Sequence, residues 1–275
     1  MHVADREAAR ALVSQWPERA ERLARTCWPG PLTLVLRKRD VVPDIVTAGT
    51  DTVALRVPSH PAALALLREA GVPIAAPSAN RFTQLSPTTA QHVADGLGDR
   101  VSLILDGGPC EVGIESTVLD LTGDAPIILR PGGISADTIS HLLGEPVRSW
   151  VLAIDHRRDD SEPQRSPGGA TRHYAPDAEV WLTSAAETAD VQAAIARVAE
   201  TPGSRVGALL REGGLRLSGV QRTLNLPANP DGYARGLYAA LHTLDREGCT
   251  VIVIETPPLG ADWDAVRDRL MRATR

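Results

Sequence analysis

Between residues 75 and 133, small hydroxyl residues, glycine turns and single arginines recur at the ends of apolar runs. The stretch reads Ala75-Ala76-Pro77-Ser78-Ala79-Asn80, Ser86-Pro87-Thr88-Thr89, Asp106-Gly107-Gly108, Gly113-Ile114-Glu115-Ser116-Thr117-Val118 and Leu129-Arg130-Pro131-Gly132-Gly133. The chemistry this suits is the holding of an anion. Backbone N–H groups approach a phosphate only where side chains are small. An arginine adds a fixed fork that matches phosphate or carboxylate oxygens. Taken singly, each motif has an ordinary explanation: a turn, a helix cap, a strand corner, a surface charge. Their clustering at successive strand ends is what points to a site. Ser86-Pro87 also reads as a cap and first residue of a helix running to about Asp95, whose free N–H groups could hold a phosphate.

Other chemistries are excluded by what is missing. Lys38 is the only lysine, and no G-x-x-x-x-G-K-[ST] loop exists, so this is not a P-loop nucleotide hydrolase. Lys38 sits in a charged Arg37-Lys38-Arg39-Asp40 turn, a poor setting for Schiff-base chemistry. There is no G-x-S-x-G elbow and no H-E-x-x-H. The seven histidines are scattered. Glu115 and Asp106 could pair as carboxylates or hold magnesium, but spacing alone does not bring them together, and no direct metal site is expected. The three cysteines, Cys27, Cys110 and Cys249, lie far apart, so neither a disulfide framework nor a zinc site is expected. A net charge of −5 argues against sequence-independent coating of nucleic acid. No apolar run is long enough for a bilayer and no secretory signal is visible, so a reducing cytoplasm is the expected setting.

The elements that must position these residues follow from periodicity and punctuation. Asp5 caps a first helix, and Pro17 opens a second that ends before Trp28-Pro29-Gly30-Pro31. Leu32 to Leu36 and Thr52 to Val57 read as strands. Pro61 to Ala70 is a helix closed by Gly71. Val72 to Ala76 and Val101 to Leu105 read as buried strands. Ser116 to Leu121 and Pro126 to Leu129 are further strands, and Ser135 caps a helix ending at Gly144. Residues 147–177 are polar and glycine-rich and read as a linker. Beyond it, strands at Val180, Val206 and Thr250 alternate with helices from about Ala189, Asp231 and Asp262. That alternation predicts parallel βαβ units in a small three-layer domain.

At this point the motifs match a known family. Trp28-Pro-Gly-Pro-Leu-Thr, Thr52-Val-Ala-Leu-Arg56-Val-Pro, Ala76-Pro-Ser-Ala-Asn80, Ser86-Pro-Thr, Gly113-Ile-Glu-Ser116-Thr-Val and Leu129-Arg130-Pro-Gly closely resemble the YrdC-like domain of L-threonylcarbamoyladenylate synthases. Ser166-Pro-Gly followed by His173-Tyr174-Ala-Pro176 resembles the linker of the two-domain members. Asp231-Gly-Tyr-Ala-Arg235-Gly-Leu-Tyr resembles their C-terminal domain. The resemblance implies an α/β chain: a YrdC-like twisted mixed sheet with packed helices over 1–146, the linker 147–177, and a Rossmann-like three-layer domain over 178–275.

The implied reaction joins L-threonine, bicarbonate and ATP. The threonine amine becomes an N-carboxylate, which attacks the α-phosphorus of ATP, releasing pyrophosphate and leaving threonylcarbamoyl-AMP. A partner transferase complex then modifies tRNA. Such chemistry needs positioning and charge neutralisation rather than a dedicated nucleophile. By position, Thr52, Ala76, Ser86 and Arg130 fall where the family contacts ATP. His2, Arg56, Ser78 and Ser116 fall where it contacts threonine. Asn80 is a second-tier candidate, and so is Tyr174, as a lid. Mg²⁺ would enter with the nucleotide. The alternative reading is an RNA-binding or regulatory YrdC-like homologue without synthase activity, with Arg165 and Arg172 contributing to a basic face. The family normally begins with further strands and a Lys-Gly-Arg-Pro loop, whereas this chain enters at Met1-His2-Val3. An N-terminally truncated chain, with unpaired sheet edges, is therefore expected.

Overall fold

In the computed structural model the described residues are 1–149 and 173–274. By their contacts they form two compact units, and these do not follow chain order. The first holds Met1–Pro77 and the chain from Glu115 through 149, and the second holds Ser78–Ile114 and residues 173–274.

In the first unit, α1 (Arg6–Ala11) starts at Asp5, whose side chain accepts the Ala8 N–H at 2.8 Å. Helix α2 (Glu18–Cys27) follows Pro17 and ends at a cis Trp28–Pro29 bond. Strand β1 (Leu32–Arg37) leads through the single turn α3 (Asp44–Thr47) to β2 (Thr52–Leu55). Helix α4 (Pro61–Ala70) has proline in its first turn and a left-handed Gly71 closing it, the asymmetry the sequence displays. In the second unit, α5 (Ala90–Leu97) is the helix of the 78–114 segment.

The chain then returns to the first unit with β3 (Thr117–Asp120), β4 (Ile127–Arg130), α6 (Ala136–Leu143) and β5 (Arg148–Ser149). The strand order is β2-β1-β3-β4-β5. Neighbouring strands pair antiparallel, parallel, antiparallel and parallel in turn, so the sheet is mixed, as expected. Its core is built from Leu23 and Ala24 of α2, Leu34 and Leu36 of β1, Val53 and Leu55 of β2, and Ile139 and Leu143 of α6. Burying such aliphatic side chains stabilises by about 1.5–3 kcal/mol each.

The second unit continues with β6 (Glu179–Thr183), α7 (Thr188–Ala199), β7 (Val206–Arg211), β8 (Arg222–Leu226), α8 (Pro230–Arg246), β9 (Val251–Glu255) and α9 (Asp264–Ala273). Its sheet runs β6-β9-β7-β8, and every pairing is parallel. Alternation along β9 divides the layers. Val251 and Val253 pack with Val191 and Ile195 of α7, while Ile252 and Ile254 pack with Tyr233, Leu237 and Leu241 of α8 and Leu270 of α9. This is the three-layer βαβ arrangement the sequence predicts. It gains one strand, β8, that the periodicity did not announce.

Three local expectations are corrected. Ser86 is not the cap of α5; Thr89 is, its hydroxyl accepting the His92 N–H at 3.2 Å. The run Val72 to Ala76 makes a single bridge at Ile74, because Pro73 has no donor and Pro77 closes the run. The run Val101 to Leu105 is not a strand; it pairs with no described neighbour, and Leu103 and Leu105 are 74% and 67% exposed. An apolar run becomes a buried strand only where a ladder receives it. Strand β5 lies inside the stretch read as linker, while Arg165, Ser166-Pro167-Gly168 and Arg172 lie outside the described residues.

Candidate active site

Ser116 stands immediately before β3 and is 5% exposed. It is held from two sides. The Thr33 hydroxyl of β1 lies 2.7 Å from its Oγ. Arg130, the last residue of β4, donates from Nη2 to the Ser116 carbonyl at 3.0 Å and to its Oγ at 3.3 Å. The β1–β3 register explains the first contact, since Leu32 pairs with Thr117 and Thr33 with Val118. A β-bulge between Val118 and Leu119 places Arg130 opposite Val118, next to Ser116.

The loop after β4 completes this corner. A Cβ on Gly132 would lie 2.3 Å from the Ser116 carbonyl carbon and from the Thr117 nitrogen, so only glycine lets the backbone pass so close. The loop is then tied to β3 through Thr117, whose hydroxyl donates to the Ile134 carbonyl at 2.7 Å and accepts the Ile134 N–H at 3.0 Å.

Arg56 follows β2, and its Nε donates to the Gly30 carbonyl at 2.8 Å. That carbonyl belongs to the Trp28-Pro29-Gly30-Pro31 turn. Gly30 is obligatory there, because a Cβ would meet the Cys27 carbonyl oxygen at 2.3 Å. The bond orients the guanidinium, as recognition of a carboxylate requires. Continuing the β1–β2 register by one residue sets Arg56 opposite Thr33. His2 lies on the other side, its backbone bridging both Arg56 and Ile74. Burial, then the neighbouring charges of the Met1 amine and Arg56, lower the His2 imidazole to about 4, so it is neutral near pH 7.

The first unit thus gathers His2, Arg56, Ser116 and Arg130 around Thr33. Thr52 stands apart at the far end of β2, buried, with its hydroxyl 3.4 Å from that of Thr50. Ala76 is exposed. In the second unit Ser78 is exposed and Ser86 is buried. Asn80 donates from Nδ2 to the Arg81 carbonyl at 2.9 Å and the Gln84 carbonyl at 3.1 Å, which shapes the loop. Tyr174 is 2% exposed, with the Arg269 guanidinium 5.1 Å from its ring centroid and Tyr238 at 5.9 Å. Its ring is part of the second unit's core in this structure. Among the described residues no cluster of three or more His, Cys, Asp or Glu side chains could hold a metal.

Thr33 and Gly132 were missed as contributors by sequence reasoning. Thr33 carried a signal: a lone hydroxyl in the apolar run Leu32 to Leu36. Gly132 was visible only as a turn glycine.

Comparison with known proteins fits this geometry. A family model described as Telomere recombination matches residues 1–132, and one described as Threonylcarbamoyl-AMP synthase, C-terminal domain, matches residues 134–274. The threonylcarbamoyl-AMP synthase of Pyrococcus abyssi is 39% identical over 280 residues, covering 100% of this chain and 79% of the relative. The chain belongs to the threonylcarbamoyl-AMP synthase family. The Bacillus subtilis synthase is 40% identical over 277 residues, covering 99% of this chain and 78% of its own length. The crystal structure of Pyrococcus abyssi Sua5 complexed with L-threonine superposes with a TM-score of 0.88 at 39% identity, covering 99% of this chain and 78% of that one. A second structure of that protein, a variant with a His and a Tyr replaced by Ala, gives a TM-score of 0.89. Within the synthase family the chain is a two-domain member, since both family models match it. No described helix is long and apolar enough to cross a membrane.

Proposed function

We propose that this chain is a threonylcarbamoyl-AMP synthase. It takes L-threonine, bicarbonate and ATP and releases water, pyrophosphate and threonylcarbamoyl-AMP, for modification of tRNA by a downstream threonylcarbamoyl transferase complex. The observation that carries the reading is end-to-end similarity to synthases, one of them solved with L-threonine.

The first unit's geometry supports the assignment of roles. Arg56 takes the threonine carboxylate, with its guanidinium already oriented by the Gly30 carbonyl. His2, neutral near pH 7, adds no charge beside it. Ser116 contacts threonine and Arg130 the ATP phosphates, and the two side chains touch. Carbamate attack on an α-phosphorus requires this adjacency, because nucleophile and electrophile must meet at about 3–3.5 Å. Arg130 would neutralise charge as pyrophosphate departs. Thr52 and Ala76 are assigned to ATP, and so is Ser86 on the second unit's 78–114 segment. Ser78 on that segment is assigned to threonine. Any Mg²⁺ arrives as part of the nucleotide. The setting we assign is the cytoplasm.

The test is pyrophosphate release with ATP, bicarbonate and L-threonine, each omitted in turn. Release that needs all three is expected. Release that persists without threonine would overturn the reading. Absence of release, together with RNA affinity that falls steeply with salt, would favour an RNA-binding homologue instead.

A further inference from the structure

Two histidines from distant parts of the chain stack inside the second unit. His92 lies on α5 and His242 on α8; their ring centroids are 4.0 Å apart and their planes are inclined at 27°. They line a cavity of about 320 Å³ beside Asp95, Asp245 and Arg246. Both rings serve the segment just ahead of α5. His242 Nε2 lies 3.1 Å from the Ser86 carbonyl oxygen. A carbonyl only accepts, so Nε2 carries the proton and donates. His92 Nδ1 accepts the Thr88 N–H at 3.3 Å and lies 3.2 Å from the Thr88 hydroxyl. That nitrogen is therefore unprotonated.

The arrangement holds only while His92 is unprotonated at Nδ1. Protonating His92 at Nδ1 would set its new N–H against the Thr88 N–H. It would also place a cation 4.0 Å from a ring that Arg246 already faces. Burial is the main cause lowering both imidazoles, with Asp95 opposing it at both rings and Asp245 at His242. The pair is thus a clasp between α8 and residues 86–88.

We infer that His242 is a positioning residue for nucleotide binding: through the stacked pair with His92 and its bond to the Ser86 carbonyl, α8 holds the Ser86–Thr88 segment in place. The inference rests on the reading that Ser86 contacts ATP. It gives the C-terminal domain a direct part in the substrate affinity of a residue that lies in the other family domain.

The experiment uses the full chain with four variants: S86A, H242A, H242Q and H242F. KM for ATP, KM for threonine and kcat are measured, with amide hydrogen exchange followed over residues 86–97. H242A should raise KM for ATP about 5- to 10-fold, the loss of about one to two hydrogen bonds' net contribution. KM for threonine should change less than about twofold, and exchange over 86–97 should quicken. H242Q, which keeps a donor N–H, should recover most of the ATP affinity, whereas H242F, which keeps the stack without the donor, should not. An unchanged KM for ATP in H242A, or KM values for ATP and threonine rising together, would overturn the inference. So would failure of H242Q to recover what H242A loses. The parent reading fails separately: S86A with unchanged KM for ATP would sink the Ser86 assignment, whatever H242A does.

Discussion

Arg130 and Ser116 are joined through two acceptors on the serine, its carbonyl at 3.0 Å and its hydroxyl at 3.3 Å. The arginine is thereby fixed by backbone, and the serine hydroxyl is shared between Arg130 and Thr33. A lysine could not reproduce this, because one ammonium lacks the planar fork. R130K should therefore lower kcat/KM for ATP by roughly 100-fold, the scale of losing an oriented charge donor. S116A should mainly raise KM for threonine, by about tenfold. Initial-rate kinetics with each substrate varied would check both. A larger effect on threonine from R130K than from S116A would contradict the assignment.

Replacing Gly132 tests the close passage of the loop against β3. In G132A the new methyl would stand 2.3 Å from two backbone atoms, neither of which can swing aside. Destabilisation of about 1–3 kcal/mol is expected. G123A, where an added Cβ would meet nothing within 4 Å, serves as the control. Denaturant titration would compare the two, and equal midpoints would refute the crowding argument.

Glu255, buried at the end of β9, accepts the Arg211 N–H at 3.0 Å, the Leu215 N–H at 3.2 Å and the Arg211 guanidinium at 2.8 Å. E255A strands two backbone donors and leaves a half-buried arginine without this carboxylate. A loss of about 3 kcal/mol is expected. Far-ultraviolet melting of the variant would show it, and a midpoint equal to that of the wild type would exclude the network as a stabiliser.

The stacked histidines predict an acid-side loss of stability. His92 is lowered from 6.5 to about 4, chiefly by burial and then by His242 and Arg246. The native state thus binds fewer protons than the unfolded chain between those values. Stability is present above about pH 6.5 and is lost as pH falls toward about 4, with no further loss from this group below that. In H92F the difference in melting temperature from wild type should shrink over that interval, because the carboxylates titrate alike in both. A difference independent of pH would remove His92 as the cause.

Capping offers a sharper check on α5. T89A should destabilise by about 1 kcal/mol, the usual cost of losing a cap hydroxyl. Thermal melts read this directly. S86A, at the position the sequence nominated, should not show a capping loss.

What was legible in the sequence was mostly local. Pro61 with Gly71, and Ser135 with Gly144, bound their helices as read, because caps and left-handed glycines act within a few residues. The strands that carry Thr33 and Arg130, and the strand that Ser116 precedes, were legible from apolar runs. Strand β8 was not, since Arg222–Leu226 is mostly polar and exposed. Ser86-Pro87 reads as a cap because proline fits a first turn, yet the hydroxyl that reaches an N–H is that of Thr89. The His92–His242 stack joins residues about 150 positions apart on no shared motif, so nothing short of the fold could reveal it. Ser116 and Arg130 were both nominated, but their contact depends on a bulge that no pattern announces.

Gly113 lies with positive φ against α8, where a Cβ would stand 2.4 Å from the Arg235 Cα and 2.7 Å from the Ala234 carbonyl oxygen, while the Arg235 Nε donates to the Glu111 carbonyl at 2.7 Å. The two family models divide the chain between residues 132 and 134, yet this interlock spans that division. The seam at which the sequence can be partitioned is thus crossed by packing that any exchange of halves has to reproduce. A chimera that grafts the C-terminal half of a relative onto residues 1–132 would set Gly113 against a foreign helix surface. Such a graft keeps the interlock only where the incoming helix lays its main chain as close to Gly113 and carries an arginine at 235 to meet the Glu111 carbonyl.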